Sequence, residues 1–422
     1  MKDQPVEGCP VAAGAGDYDP FEEFNRAQGI GTVENPYREF KVKRDRCPVQ
    51  PVDPSFLTGG QVKHTLPGVR EIFAVLSHDG VAQVLRDGET FTSTVYASSM
   101  GLVMGHTILE MDEPEHSKYR RLIQQAFSKK ALAHWETDLV RPIVNACIDR
   151  FKDRGRADLV RELTFPFPVN VIAGMLGLPE ADLPEFHRRA VELISIGIDP
   201  MRGIQASQAL ERYFLPLIAE RRDAPRGDLI SVLATAELEG TRLTDAEIVA
   251  FLRLLLPAGA ETTYRSSSNL IFGLLTHTEQ LDQVRRDRAL IPQAIEEGLR
   301  WEPPLLGILR GVTRDTEIDG VPVPKGATLS VSMGSANRDD ARYTDPDRFD
   351  IHRPARQHLA FGFGAHRCLG MHLARMETTV ALEALFDRLP NLRLDPDAGP
   401  VAITGATFRA PTRLPVLFDT IP

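Results

Sequence analysis

The residues best suited to chemistry lie together in residues 361–370, which read FGFGAHRCLG. Gly362 and Gly364 allow backbone conformations that are closed to other residues, so the chain can fold tightly beneath a bulky group. A helical pattern of apolar residues follows Cys368, which predicts that this cysteine lies beside a helix N-terminus. The N–H groups and the dipole at such a position favour a thiolate over a thiol. The segment therefore predicts a reactive or ligating sulfur.

Three roles suit a thiolate on a surface cleared by glycines: a nucleophile, a zinc ligand and a haem ligand. Zinc needs three or four protein ligands, and His366 and Cys368 offer two, with no other cysteine nearby in the sequence. A cysteine nucleophile needs a positioned base, and the sequence contains no independent motif for one. A buried structural cysteine does not account for the glycines, the aromatic residue, the histidine and the arginine around it.

A second candidate site lies in the long segment that contains PAGAETTY. This segment predicts a helix of more than thirty residues that begins at a Thr cap. Pro257 removes a backbone hydrogen bond in the middle of that helix, and Gly259 weakens it further. We expect Thr262 to donate to the carbonyl of Ala258, which loosens the helix at the same place. Glu261 and Thr262 would then form an acid–alcohol pair beside a gap.

The rest of the chain predicts one large domain that positions these two segments. Residues 1–20 read as a flexible N-terminal tail, and residues 21–422 as a single catalytic domain. Helical periodicity dominates to about residue 300, and short β-like runs between Gly and Pro turns follow residue 305. No repeat and no linker separates the two parts. The predicted fold is mainly α with small β-sheets at one side.

Composition narrows the functional class. The net charge is −9, which argues against a general nucleic-acid partner, and 42% of the residues are hydrophobic, as in an ordinary globular protein. The four cysteines are spread widely and form no disulfide framework, which suits a reducing compartment. The N-terminal segment lacks the apolar core of a signal peptide, and no apolar run approaches the length of a membrane span. We therefore expect a cytoplasmic protein with no transmembrane anchor.

The cysteine segment resembles the haem-binding signature of the cytochrome P450 family, Phe-Gly-x-Gly-x-His/Arg-x-Cys-x-Gly. The resemblance extends over roughly residues 70–418, with the family's landmarks in order. It implies the cytochrome P450 fold, with the long central helix over a haem b cofactor. It also implies that Cys368 is the axial thiolate ligand of the haem iron, with Phe361 and Gly364 close to the cofactor. A thiolate ligand favours cleavage of an O–O bond.

The central helix matches a second motif of that family, Ala/Gly-Gly-x-Asp/Glu-Thr, from Ala258 to Thr262. The resemblance implies that Ala258 and Gly259 lie next to the haem. It further implies that Glu261 and Thr262 are catalytic and deliver protons for the activation of O2, the co-substrate.

Further matches concern charged residues. His116, Arg120, Arg310 and His366 match the family's partners of the two haem propionates. Glu297, Arg300 and Arg353 match an ion network that the family uses to hold its fold, so we interpret these three residues as structural.

The resemblance implies a monooxygenase that inserts one oxygen atom from O2 into a small molecule. The segments that line family pockets are residues 95–104, 254–258, 305–309 and 406–408. They are predominantly apolar, which favours a lipophilic substrate of terpenoid, steroid or fatty acyl type. An alternative is a peroxide-driven peroxygenase, although such relatives often replace the acid–alcohol pair. A haem-binding sensor or carrier without turnover is the other alternative.

The electrons are expected to come from separate proteins, a ferredoxin and its NAD(P)H-dependent reductase, because the sequence contains no flavin or iron–sulfur segment. Two groups of cations are candidates for the ferredoxin-docking face. The first group contains Lys118, Arg121, Lys129 and Lys130, and the second contains Arg356, His358 and Arg367.

Overall fold

The computed structural model describes residues 19–58, 71–195 and 198–421. The tail predicted over residues 1–20 lies almost wholly outside these ranges. The helices of the described residues are α1 (Pro20–Ala27), α2 (Tyr37–Arg46), α3 (His78–Arg86), α4 (Gly101–Met104), α5 (Glu115–Gln124), α6 (Lys129–Trp135), α7 (Arg141–Asp149), α8 (Pro166–Met175), α9 (Leu183–Ile194), α10 (Pro200–Asp223), α11 (Leu229–Thr235), α12 (Asp245–Thr276), α13 (Thr278–Arg286), α14 (Ile291–Trp301), α15 (Met333–Ala336) and α16 (Met371–Arg388).

Short strands complete the described fold. They are β1 (Val49–Val52), β2 (Ile72–Val75), β3 (Phe91–Thr92), β4 (Arg156–Asp158), β5 (Glu237–Leu238), β6 (Thr241–Arg242), β7 (Ile308–Val312), β8 (Thr316–Ile318), β9 (Val321–Val323), β10 (Thr328–Val331), β11 (Arg393–Leu394), β12 (Ile403–Thr404), β13 (Ala410–Pro411) and β14 (Pro415–Leu417). The prediction of a mainly helical chain with small sheets is confirmed.

The long helix α12 runs through the centre of the helical part. It begins at a capping box, in which the Glu247 N–H donates to Thr244 Oγ1 at 3.3 Å and the Thr244 N–H donates to Glu247 Oε2 at 2.7 Å. The predicted Thr cap and the predicted length are both confirmed, since α12 spans 32 residues. The helix stays continuous across Pro257. Helices α8, α9, α10, α14 and α16 pack against it, which buries it on most sides.

The largest sheet has five strands in the order β1-β2-β10-β7-β3. Strand β10 pairs parallel to β2 and antiparallel to β7, and Leu329 lies opposite Arg310. A second sheet has the order β11-β14-β4, so the end of the chain returns to the segment before α8. The short strands predicted beyond residue 305 are therefore confirmed. Strand β7 contains Arg310, and its pairing with β10 fixes the position of this residue.

A buried ion network joins α14 to the coil that precedes the cysteine segment. Arg300 Nε and Nη2 donate to the Glu297 carboxylate at 2.7 and 2.8 Å, and Arg353 Nε donates to Glu297 Oε1 at 3.3 Å. The Asp350 N–H also donates to Glu297, at 2.8 Å. The three residues that were interpreted as structural are therefore in contact. The network fixes the coil against α14, and the cysteine loop begins eight residues further along the chain.

His187 is a buried histidine of α9 that lies among aromatic rings. Its ring centre lies 4.8 Å from that of Phe165 and 6.5 Å from that of Phe21 in α1. Among the described residues its Nε2 atom has no hydrogen-bond partner. Burial lowers the pKa of His187 from 6.5 to about 4. This histidine is therefore neutral in the folded protein at pH 7.

We expect this burial to make the fold sensitive to acid. The folded pKa of His187 lies below its unfolded value, so the unfolded chain takes up the proton first and stability is lost between pH 6.5 and pH 4. At pH 5 the expected loss is about 2 kcal/mol in the free energy of unfolding. The free energy of unfolding, measured with urea, should fall between pH 7 and pH 5 by about 2 kcal/mol less in His187→Leu than in the wild type. The exposed His134→Gln variant is the control, and equal acid sensitivity in wild type and His187→Leu would contradict the assignment.

Candidate active site

A cavity of about 610 Å³ separates α12 from the cysteine loop, residues 361–370. Its volume lies in the range of ordinary small-molecule sites. The predicted site residues in its wall are His116, Arg120, Ala258, Gly259, Glu261, Thr262, Arg310, Phe361, His366 and Cys368. Residues that are separated by more than 250 positions in sequence therefore meet around one space.

The cysteine loop is closed by backbone hydrogen bonds. The Cys368 N–H donates to the Phe361 carbonyl at 2.8 Å, and the Arg367 N–H donates to the Gly364 carbonyl at 3.2 Å. Gly362 and Gly364 have φ values of +68° and +71°, which is the left-handed region predicted for this turn. Helix α16 follows, with Gly370 at its N-cap.

Gly364 has a further steric reason to be glycine. A Cβ atom at this position would lie 2.3 Å from the backbone oxygen of Leu85, near the end of α3. The resemblance implies that Gly364 lies close to the cofactor. The structure places this residue against α3, and it is not among the residues that line the cavity.

Cys368 lies inside the molecule, yet its side chain is accessible because it faces the cavity. Burial raises the pKa of its thiol, and the Gly370 N–H together with the charges of Arg120, Arg375 and Arg367 acts in the opposite direction. The position of Cys368 at a helix N-terminus, taken alone, predicts a lowered pKa for its thiol. That expectation is corrected, because desolvation of the thiolate outweighs the hydrogen bond and the cations.

The wall formed by α12 contains the predicted acid–alcohol pair. Thr262 Oγ1 donates to the Ala258 carbonyl at 2.8 Å, as expected from the sequence. At Gly259 a Cβ atom would lie 2.6 Å from Ile172 Cδ1, so α8 packs closely against this point. Glu261 is buried, and burial raises the pKa of its carboxyl group while Arg265 lowers it.

Sequence reasoning missed Arg265, which is the partner of Glu261. Its Nη2 atom donates to Glu261 Oε2 at 2.9 Å and to Asn25 Oδ1 in α1 at 2.8 Å. The guanidinium lies between two aromatic rings, 4.7 Å from the centre of Tyr264 and 5.4 Å from that of Phe408. The spacing of four residues between Glu261 and Arg265 was the available signal.

Glu377 is a second buried acid that the sequence analysis did not select. It lies on α16 and lines the cavity. Burial raises the pKa of Glu377 to about 8, and a hydrogen bond with Thr263 acts in the opposite direction. Its Oε1 atom has no partner among the described residues. An acid on an otherwise apolar face of a helix was the sequence signal that could have identified it.

The four predicted cationic residues come together at one end of the cavity. The rings of His116 and His366 are 4.0 Å apart, and His366 Nε2 lies 3.1 Å from Ser93 Oγ. Burial lowers the pKa of His116. Burial also lowers the pKa of His366 to about 3, and the charges of Arg310 and Arg120, together with that of His116 when it is protonated, act in the same direction. His366 is therefore neutral at pH 7, and the lowered pKa of His116 favours its neutral form as well.

The two arginines at this end of the cavity have no charged partner among the described residues, whereas His116 Nδ1 lies 3.3 Å from Glu113 Oε1. Arg120 Nη2 donates to the Arg367 carbonyl at 2.6 Å, and Arg310 Nη1 donates to the Leu309 carbonyl at 2.8 Å. Within residues 19–58, 71–195 and 198–421, neither guanidinium has a carboxylate at ion-pair distance, and His116 Nε2 has no hydrogen-bond partner. This end of the cavity is thus suited to a group that carries carboxylates.

The predicted pocket segments also meet at the cavity. Its wall includes Tyr96, Met100 and Met104, residues 254–255 and 257–258, and all of residues 305–309 and 406–408. Phe40 and Phe56, from the N-terminal part of the chain, line it too and were not predicted. Apolar side chains form most of this surface.

The two groups of cations differ in exposure. Lys118, Lys129 and Lys130 are exposed, and Arg121 is exposed with its Nη1 atom 3.8 Å from Glu239. His358, by contrast, is buried, and its Nε2 atom lies 3.4 Å from Glu296 Oε2. The prediction that His358 contributes to a surface of cations is therefore wrong, because its ring is enclosed beneath the loop.

Among the described residues, no three or more His, Cys, Asp or Glu side chains are arranged to hold a metal ion. No described helix combines the length and the apolar character that a bilayer span needs.

Comparison with known proteins identifies the family. Residues 199–400 match the family model described as cytochrome P450. The putative cytochrome P450 YjiB of Bacillus subtilis (strain 168) is 34% identical over 331 residues, which cover 76% of this chain and 83% of the relative. The steroid C26-monooxygenase of Mycobacterium tuberculosis (strain CDC 1551 / Oshkosh) is 36% identical over 322 residues, which cover 75% and 86%.

Solved structures agree with these relatives. The structure of CYP109E1 from Bacillus megaterium in complex with testosterone has a TM-score of 0.81 and 32% identity, and the match covers 91% of this chain and 99% of that one. The fold is that of the solved cytochrome P450 structures. The chain belongs to the cytochrome P450 family and is a monooxygenase of that family.

Membership implies a haem cofactor, and the cavity residues fit one. The Cys368 sulfur faces the space from the loop, and α12 bounds it on the other side. The uncompensated Arg120 and Arg310 and the free Nε2 atom of His116 match the carboxylates that haem carries. The fit is therefore chemical as well as steric.

Proposed function

We propose that the chain binds haem b through Cys368 and oxidises a lipophilic small molecule with O2. The observation that carries the proposal is the single cavity that places Cys368 on one wall and Thr262 on the other. When bound, the haem supplies the oxidising chemistry by accepting electrons and O2 and transferring one oxygen atom to the substrate. The protein supplies the ligand, the protons and the position of the substrate.

The propionates of the haem would be held by Arg120, Arg310, His116 and His366. The first two are permanent cations with no carboxylate partner among the described residues. The buried Nε2 atom of His116 can donate to a propionate only when the ring is protonated, because its Nδ1 atom faces the Glu113 carboxylate. Phe361 would lie beside the haem on the cysteine side, and Ala258 and Gly259 on the side of α12.

Thr262 and Glu261 would control the delivery of protons. The Thr262 hydroxyl is anchored to the Ala258 carbonyl and lies in the cavity wall, so it can accept a hydrogen bond from a group in the cavity while it donates to α12. Glu261 lies next to it in sequence and has a raised pKa, so its carboxyl group takes up and releases a proton closer to neutral pH than an exposed glutamate.

The substrate we propose is a lipophilic molecule of steroid, terpenoid or fatty acyl type. The apolar lining supports this class, and two of the relatives above are named for a steroid reaction or bind testosterone. Difference spectra over a library of such molecules would test it, with testosterone as one probe. A preference for charged, hydrophilic ligands would contradict it. We further propose that residues 21–422 form one catalytic domain, because the main core cluster extends from Val103 to Phe418.

The assignment of Cys368 predicts a spectroscopic loss. Cys368→Ala should lose the carbon monoxide difference band that gives the family its name, and activity with it, because no neighbouring side chain can supply a thiolate. The half-buried Cys47→Ala variant is the matched control and should keep the band. A normal thiolate spectrum in Cys368→Ala would refute the assignment.

The role of Thr262 predicts uncoupling rather than weaker binding. Thr262→Ala should keep the substrate-induced spectral shift and divert reducing equivalents to hydrogen peroxide, because protons no longer arrive in time for O–O cleavage. Thr276→Ala is the control, since Thr276 makes the same bond to a carbonyl of α12, at 2.8 Å to Phe272, at the end of the helix. Unchanged coupling of NAD(P)H consumption to product in Thr262→Ala would contradict the role.

We propose that a ferredoxin, reduced by an NAD(P)H-dependent reductase, supplies the electrons. It would dock on the exposed cations of α5 and α6, which we term the basic face: Lys118, Arg121, Lys129 and Lys130. The bond from Arg120 to the Arg367 carbonyl holds α5 directly against the cysteine loop, so the basic face lies close to the ligand of the iron. Arg356 is exposed as well and extends the positive charge.

Electrostatic docking predicts a dependence on salt and on charge. The rate of reduction by an acidic ferredoxin should fall with ionic strength, because salt screens charges beyond about 10 Å at 0.1 M. Arg121→Glu and Lys130→Glu should slow reduction and leave substrate binding unchanged. Arg161→Glu, a reversal of an exposed cation outside the basic face, is the control. If the rate of reduction does not change with ionic strength and is the same in both variants as in the wild type, the docking face lies elsewhere.

A further inference from the structure

A fixed charge pair lies behind the cysteine loop. Arg375 of α16 donates from Nε to Glu296 Oε1 at 2.6 Å and from Nη2 to Glu296 Oε2 at 2.8 Å, which is a bidentate pair. The Arg375 guanidinium carbon lies 4.6 Å from the centre of the Phe361 ring, within the range of a cation–π contact. The ring of His358 also lies against Phe361, with centres 5.9 Å apart. The guanidinium is therefore held in place by two different interactions.

This pair is connected to the sulfur through the loop and through the helix. Phe361, beneath the guanidinium, accepts the hydrogen bond from the Cys368 N–H that closes the loop. Arg375 itself lies in the first turns of the helix that begins after Cys368, seven residues further along the chain. Arg375 is therefore placed behind the loop that holds the sulfur, where a fixed charge can act through space.

The two members of the pair are not equally screened by solvent. The Arg375 side chain is 26% exposed, whereas the Glu296 side chain is 43% exposed. The effective dielectric constant around a charge is lower where the charge has less contact with water, so its electrostatic interactions are stronger. The positive member therefore has the larger effect at the sulfur, and the negative member reduces that effect without cancelling it.

We propose that Arg375 sets the reduction potential of the haem iron, with Glu296 as the residue that positions and moderates its charge. In the step concerned, ferric haem gains one electron from an external donor; no bond forms or breaks, and the site becomes one unit more negative. A nearby positive charge stabilises that product. Arg375 touches neither substrate nor cofactor in this proposal and acts through its charge and its contact with Phe361.

A purely structural role for the pair makes a different prediction. If Arg375 and Glu296 only join α16 to α14, then removing either charge disturbs the same contact and should change the potential in the same direction. An electrostatic role requires opposite signs, because the two side chains carry opposite charges. The sign of the shift therefore separates the two roles even where both variants lose stability.

The experiment is a potentiometric titration of the haem-loaded protein with dithionite and mediators. Arg375→Gln should lower the potential, with an expected shift of the reduction equilibrium of about tenfold, and a tenfold change corresponds to 59 mV for one electron. Glu296→Gln should raise the potential, and the double variant should lie between the two single variants. Arg375→Lys keeps the charge and should stay closer to wild type than Arg375→Gln. Arg388→Gln, which removes an arginine at the far end of the same helix, should leave the potential unchanged.

The inference rests on the proposed ligation by Cys368, and the two can fail separately. A wild-type protein without the carbon monoxide band would refute the ligation before any potential is measured. With the band intact, shifts of the same sign in Arg375→Gln and Glu296→Gln would overturn the present inference alone. Reduction potentials equal to that of the wild type in Arg375→Gln and in Glu296→Gln would also overturn the present inference.

Discussion

The hydrogen bond from the Cys368 N–H to the Phe361 carbonyl, 2.8 Å long, decides where the sulfur lies. The chain can make this bond only if it turns sharply after Phe361, and that turn needs the positive φ of Gly362 and Gly364. The same turn brings Gly364 against the Leu85 carbonyl of α3. Helices α3 and α16 are therefore both positioned by one short loop, and α5 joins them through the bond between the Arg120 side chain and the loop backbone.

Burying the cations around the cavity costs free energy of folding that contacts within the described residues do not fully offset. Arg310 is buried and is satisfied in part by a backbone carbonyl, and His116 leaves a buried nitrogen that has no hydrogen-bond partner within the part of the chain that the structure describes. Buried polar groups of this kind destabilise a protein unless a partner compensates them. A ligand with carboxylates supplies that partner, and anything that binds the folded state alone stabilises it. Occupation of this end of the cavity by such a ligand would therefore stabilise the fold.

Local patterns in the sequence predicted what depends on near neighbours. The cap of α12 and the bond from Thr262 to Ala258 each depend on residues within four positions of each other, and both were predictable. The contact of Gly364 with Leu85 and the burial of His358 depend on segments that are distant in sequence. The pKa of Cys368 was misjudged for a related reason: the helix N-terminus can be read from the sequence, but the desolvation by surrounding elements cannot.

The pair of Glu261 and Arg265 shows how burial and charge combine in the active site. A cation at 2.9 Å would keep an exposed carboxylate ionised, yet burial raises the pKa of Glu261 despite this neighbour. Removing one member of such a pair leaves an uncompensated buried charge, so the pair is a poor source of stability but a strong constraint on geometry. Asn25 shares the same guanidinium nitrogen, so α1 fixes the direction from which Arg265 reaches the acid. The N-terminal helix, which contains no residue of the site, therefore helps to determine how the Glu261 carboxyl group is oriented beside the cavity.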